Sequence, residues 1–219
     1  MWSSEVTNMI ITGIWETLYM TLVSTLVGYV IGLPMGIILT VSDKDGIKPN
    51  AVLYKILDEI ANIVRSVPFI ILLVLLIPFT RLVVGKSYGS TATIVPLVIA
   101  AAPYIARMVE SSLKEVDAGV IEAARSMGAS NFTIITKVML VEARTSLLVG
   151  ATITLGTILG YSAMSGAVGG GGLGAIAIRY GYTRWQTDIM IVTVILLIIL
   201  FQIFQTVGMK LADKFDHRK

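Results

Sequence analysis

Residues 17–42 read TLYMTLVSTLVGYVIGLPMGIILTVS, a run from Thr17 to Ser42 without one charged side chain. About 20 mostly apolar residues in helical form cross the hydrocarbon of a bilayer, so this stretch is long enough to span. Lipid offers backbone N–H and C=O groups no partner, which leaves helices and closed barrels as the spanning forms. Barrel strands alternate apolar and polar residues. Here the apolar residues are continuous, and a helix is expected.

Four more segments follow the same rule. Leu57–Thr80 carries Asp58, Glu59 and Arg65 only near its start, while Ser87–Ala106 and Ile189–Met209 are uncharged. From Thr145 to Ile178 there is again no charge; that run is too long for one span and divides at its glycine cluster, leaving Thr145–Ser165. The expected fold class is an all-α membrane protein. It forms a single domain over residues 1–219, with five transmembrane helices at 17–42, 57–80, 87–106, 145–165 and 189–209.

The composition agrees. Of 219 residues, 55% are hydrophobic and 14% charged, with a mean hydropathy of +0.84. A soluble domain carries about a quarter charged residues. There is no cysteine, which excludes a disulfide framework and a thiolate metal site. The net charge of +3 is read as topology rather than as a nucleic-acid surface. Lys44, Lys48, Lys55, Arg107, Lys114, Arg125, Lys137, Arg144, Lys210, Lys214, Arg218 and Lys219 fall on one side, against Arg81, Lys86, Arg179 and Arg184 on the other. The positive-inside rule then puts the N-terminus outside and the C-terminus in the cytoplasm. Trp2, Trp15 and Trp185 fall on the outer side, where an interfacial belt is expected.

The first sixteen residues contain Glu5 and Glu16 but no Lys or Arg, unlike a secretory signal. With Trp2, Val6, Met9, Ile10 and Gly13 at helical spacing, this segment reads either as a surface helix before the first span or as a frayed start. Pro34, Pro68, Pro78, Pro96 and Pro103 lie in or beside spans, where neighbouring helices can re-satisfy freed carbonyls. Gly28, Gly32 and Gly36 form a stripe, as do Gly156 and Gly160. Such stripes allow close helix approach within a chain or between copies.

Ion-coupled carriers place ionisable groups near the bilayer midplane; the middle of each span is read as free of them. Glu110, Glu142 and Arg144 are expected at cytoplasmic ends within reach of headgroup water, and Arg65 is expected to snorkel to the inner headgroups. The single histidine, His217, lies in the terminal tail. A proton relay is disfavoured, so uphill transport would draw its energy from a partner. Gly169, Gly171 and Gly174 match G-x-G-x-x-G, but that pattern has meaning only between a strand and a helix. Residues 166–174 read either as a flexible or re-entrant connection at the outer mouth or as a plain surface loop.

The longest polar segment is Arg107–Arg144. Asp117 can cap a short helix over Ala118–Met127, Gly128 can end it in a left-handed turn, and Ser130 can cap the next helix. Val120, Ile121, Ala124 and Met127 make an apolar strip beside Glu122 and Arg125. Such a knob suits a groove on another protein or the membrane surface.

Glu122-Ala123-Ala124-Arg125-Ser126-Met127-Gly128, followed nine residues later by Val138-Met139-Leu140, resembles the EAA loop of ABC importer permeases. Val141 stands where that pattern usually has proline. Ser66-Val67-Pro68-Phe69, Ser162 to Gly169, and Arg179-Tyr180-Gly181-Tyr182 resemble the branch of the family that imports methionine. The resemblance implies a multi-pass subunit of the bacterial inner membrane that has no catalysis of its own. It implies a homodimer bound to two cytoplasmic ATPase subunits, which hold the ATP and Mg, and fed by an external methionine-binding protein. It implies a coupling helix that enters the ATPase groove. No cofactor, metal or nucleic acid is expected on this chain.

For coupling to the ATPase the candidates are Glu122, Ala123, Ala124 and Gly128. Small side chains allow close approach, glycine makes the turn, and the carboxylate can meet a basic partner. For the pathway and its gate they are Tyr161, Met164 and Ser165, because a thioether can close a narrow opening and hydroxyls can meet a zwitterion. The expected cargo is methionine, with the D enantiomer as a second candidate. The alternatives are another small amino acid or thiol compound, an ion-coupled carrier, and a non-transporting scaffold.

Overall fold

The computed structural model describes residues 4–215, and no strand occurs among them. Trp2, His217, Arg218 and Lys219 lie outside the described residues. Helices α1 (Ser4–Ser42), α2 (Ala51–Ser66), α3 (Phe69–Leu75), α4 (Ile77–Val84) and α5 (Ser90–Lys114) follow in order. The short α6 (Ala118–Ser126) leads through α7 (Asn131–Thr133), a π-helical stretch Ile134–Met139 and α8 (Leu140–Glu142) into α9 (Arg144–Ser165). A 3₁₀ turn Gly166–Val168, α10 (Gly172–Ile176) and a second π-helical stretch Ala177–Tyr182 precede α11 (Thr187–Lys214). Four stretches are long and apolar enough to cross a membrane: Ser4–Ser42, Ser90–Lys114, Arg144–Tyr182 and Thr187–Lys214.

The first helix is longer than its uncharged run. From Ser4 the chain is helical without interruption to Ser42, so the described part of the N-terminal segment is neither a separate surface helix nor frayed. Along α1 the buried positions are small or hydroxylic, including Gly13, Thr17, Thr21, Ser24, Gly28, Gly32 and Gly36, whereas Trp15, Leu22, Leu26, Val30 and Ile31 are exposed. This is the polarity of a helix whose outer face meets lipid and whose inner face meets protein. Three of the hydroxyls are satisfied on their own helix, Thr17 donating to the Gly13 carbonyl, Thr25 to Thr21 and Thr40 to Gly36, while those of Thr21 and Ser24 have no partner among the described residues.

The glycine stripe packs within the chain. A Cβ on Gly28 would stand 3.0 Å from Ala101 Cβ. On Gly32 it would stand 2.5 Å from the Ala102 carbonyl oxygen, and on Gly36 2.5 Å from that of Ala106. Around this α1–α5 contact, Met20, Leu97, Ile105, Val109, Leu113 and Ile158 form the core. In the second pair, Gly156 seats the Phe201 ring of α11, while nothing lies within 4 Å of a Cβ on Gly160. Most of α11 stays outside this core, with Ile195, Ile198, Ile199 and Ile203 exposed.

The expected second span, 57–80, is not one helix. Pro68 supplies no N–H and drives Val67 into the extended region at φ −82°, ψ 124°, which ends α2. A second break falls at Leu76, with Pro78 in the first turn of α4. The three pieces nonetheless follow α5 along its length. Tyr54 and Asp58 of α2 meet Glu110 and Arg107, and Leu73, Ile77 and Thr80 share a crevice with Ala92, Thr93 and Pro96.

Residues 166–174 are not a plain surface loop. They turn back into the protein, and Gly170, Gly172, Leu173 and Gly174 are buried. A Cβ on Gly174 would overlap the Ala163 backbone of α9. The Gly172 N–H donates to Glu16 Oε2 at 2.7 Å, and the Leu173 N–H donates to Thr17 Oγ1 at 2.9 Å. Gly89 N–H reaches the Gly169 carbonyl at 2.8 Å. With no strand before it, the G-x-G-x-x-G match has no nucleotide-binding context. Replacing Glu16 with alanine is expected to lower stability by about 2 kcal/mol, the scale of a hydrogen bond to a charged acceptor, measured as the thermal midpoint in detergent. Glutamine, which still accepts through its amide oxygen, is expected to lose less.

Candidate coupling and translocation sites

The α6 knob forms by local chemistry. The Asp117 carboxylate accepts from the Gly119 N–H at 2.7 Å, and the Ser130 hydroxyl accepts from the Thr133 N–H at 3.2 Å. Gly128 has φ +81°, a conformation that costs other L-residues free energy. Glu122, Ala123 and Gly128 are exposed, whereas Ala124 is buried in the chain's own core. The apolar strip is therefore divided: Ile121 and Ala124 face inward, and Val120 and Met127 face outward. Arg125 does not run parallel to Glu122 but donates to the Ile47 carbonyl at 3.0 Å, fastening α6 to the loop after α1. At Val141 the chain stays helical to Glu142, and the turn falls at Ala143.

Behind the knob lies an ionic cluster that no local motif announces. Arg107 pairs with Asp58 and, at 2.7 Å, with Glu110; Lys114 pairs with Asp43 at 2.6 Å and Glu110 at 2.8 Å. Tyr54 donates to Glu110 at 3.2 Å, and Arg107 donates to Asn62 Oδ1 at 2.9 Å. Glu110 is only 4% exposed, which corrects the expectation that headgroup water bathes it; Glu142 is exposed. The hydrogen bond from Lys114 holds the Asp43 carboxyl below the usual carboxylate range. Its contribution to stability is therefore present above the ordinary Asp pKa and is lost as pH falls through the lowered value. The i,i+3 and i,i+4 spacing of Arg107, Glu110 and Lys114 was readable as a charged helix face. Its partners on α2 and after α1 were not.

The three pathway candidates do not share one surface. Tyr161 is half-buried and stacks on Phe69 of α3, with centroids 4.4 Å apart and an interplanar angle of 2°. Met164 is half exposed. Ser165 is fully buried and donates to the Ser162 carbonyl at 2.6 Å, and it packs where a Cβ on Gly170 would fall. That residue holds the re-entrant turn. Among the described residues, no group of three His, Asp or Glu is placed to hold a metal ion.

Arg65 lies in the last turn of α2 and is exposed. It lines a cavity with Val64, Phe69, Ala100, Tyr104 and Tyr161. Ala100 is near the centre of α5, and Tyr104 precedes Lys114 by ten residues, about 15 Å along the axis. Arg65 therefore lies between the centre of α5 and its ionic end, three residues beyond Asn62, which accepts from Arg107.

This arrangement recurs in proteins of known kind. A probable D-methionine transport system permease protein, MetI, from Vibrio cholerae is 49% identical over 99% of this chain and 96% of its own length. The D-methionine transport system permease protein MetI of Escherichia coli K12 is 52% identical over 72% of this chain and 73% of its own. A chain of the MetNI methionine ABC transporter, solved in inward-facing conformations, superposes with a TM-score of 0.97 at 49% identity, covering 99% of this chain and 100% of that one. Residues 32–218 match the model of the binding-protein-dependent transport system inner membrane component, and the chain belongs to that family of inner-membrane transport components.

Proposed function

We propose that this protein is the permease subunit of an ATP-driven methionine importer, forming the passage through the membrane and hydrolysing nothing itself. The observation that carries the reading is the rigid α6 knob, presenting Glu122 and Ala123 outward on a chain half identical to methionine permeases along its length. Two copies form the passage, two cytoplasmic ATPase subunits bind ATP and Mg and receive α6, and an external binding protein delivers methionine in its L and D forms. The broken helix α2–α3–α4 counts as a span because it follows α5 from end to end. That makes five spans, with the N-terminus outside and the basic loops in the cytoplasm.

In this reading Glu122, Ala123 and Gly128 meet the ATPase, and Ala124 anchors the knob from behind. Tyr161 and Met164 line the passage, and Ser165 holds the turn above it. Replacing Ala123 with glutamate is expected to reduce ATP-driven uptake by at least tenfold while membrane insertion stays normal, because a charge on the contact face is left without a designed partner. Uptake of labelled methionine against other labelled amino acids, in cells lacking only this subunit, tests the cargo. Unchanged methionine uptake would overturn it. Loss of another amino acid or thiol compound instead would keep the machine and change the cargo.

A further inference from the structure

Arg65 stands in an unusual place for a guanidinium. It lies in the last turn of α2, two residues before the extended Val67–Pro68 break, and borders Ala100 and Tyr104 of α5. It has no carboxylate partner among the described residues, although Arg107 of α5, which reaches Asn62 three residues earlier on α2, is bound by two. Its cavity, of about 170 Å³, brings together Tyr104 of α5, Tyr161 of α9 and the Phe69 ring that Tyr161 stacks upon. Ionisable groups inside membrane domains face cavities and meet counter-charges there. A guanidinium matches a carboxylate with a two-pronged hydrogen-bonded fork. The stacked aromatic pair beside it offers a flat apolar wall on which a thioether side chain can rest.

From this geometry we propose that Arg65, Tyr104 and the Phe69–Tyr161 pair form a transient station for the cargo inside the membrane. Arg65 receives the α-carboxylate of an amino acid, and the aromatic wall receives its side chain. The proposal rests on the methionine-importer reading and names the residues that handle the zwitterion between the outer mouth and the cytoplasm. The Val67–Pro68 break gives the station its opening, because α2 ends there and leaves the Arg65 side chain without a following helical turn above it.

The test uses the purified complex of this chain with its ATPase subunits in detergent, without the binding protein. Equilibrium dialysis with labelled L-methionine is expected to show saturable binding to the wild-type complex. Binding should be displaced by 4-methylthiobutyrate, which keeps the carboxylate, and not by methioninol, which lacks it. Arg65→Gln is expected to weaken binding at least tenfold and to abolish displacement by the carboxylate analogue. Arg65→Lys, which keeps the charge without the fork, is expected to weaken binding several-fold and to serve as the readout if the glutamine variant fails to co-purify with the ATPase. Equal binding by wild type and the Arg65 variants, or the absence of saturable binding by wild type, would overturn the station. Failure of wild-type vesicles to import methionine when the binding protein and ATP are supplied is a separate result, and it overturns the cargo reading instead.

Discussion

Gly32→Val is expected to prevent stable folding. A Cβ at Gly32 stands 2.5 Å from the Ala102 carbonyl oxygen and 2.7 Å from Ile105 Cβ, and valine adds two further methyls to that contact. Overpacking a core typically costs about 1–3 kcal/mol when side chains can change rotamer. Here the obstacle is the backbone of α5, which has no rotamer to change, so the cost exceeds about 3 kcal/mol. Gly36, facing the Ala106 carbonyl and Val109 in the same way, is expected to respond alike. Gly160→Ala is the control: its Cβ meets nothing within 4 Å, and alanine improves helix propensity by about 1 kcal/mol. The amount of monodisperse protein extracted in detergent and its thermal midpoint measure both. A Gly32→Val protein with wild-type yield and midpoint would disprove the α1–α5 contact.

The second large effect is expected at Arg107. This residue binds Asp58, Glu110 and Asn62 at once and is 19% exposed at its side chain. Breaking a buried ion pair by removing one partner costs about 3–5 kcal/mol because the other charge stays behind; partial exposure puts Arg107→Ala near the lower end. The balance of charges decides which member matters more. Without Arg107, three carboxylates (Asp43, Asp58 and Glu110) face Lys114 alone. Without Glu110, two cations face two carboxylates, so Glu110→Ala is expected to be the milder change. Arg107→Lys is expected to recover only part of the loss, since an ammonium on a flexible stem cannot bridge all three groups. Thermal unfolding of the three variants in detergent gives the order.

Much of the coupling segment was legible because its structure is local. Asp117, Gly128 and Ser130 each act on backbone groups within three residues, so their types and spacing carry the prediction. The long spans were legible for a related reason: twenty apolar residues have one stable form in lipid, whatever surrounds them. The second span misled because Arg65, Pro68 and Pro78 look alike in a string whether the helix bends or breaks. Only the support of α5 beside it lets the chain stop and restart at the same depth. Ser165 looked available for a ligand because a hydroxyl's partners depend on how the following glycines fold back.

The order of residues alone determined that this chain lies in a membrane, that it crosses as helices and that a capped knob interrupts them, since each depends on solvent and neighbouring residues along the chain. Which faces meet was decided only by tertiary packing. The pairing of Arg107 with Asp58, the seating of Gly32 on α5, the burial of Glu110 and Ala124, and the meeting of Arg65 with Tyr104 and Tyr161 all join positions far apart in sequence. Contacts of that kind arise when helices settle against one another at close range, and no periodicity within a single helix encodes its partner.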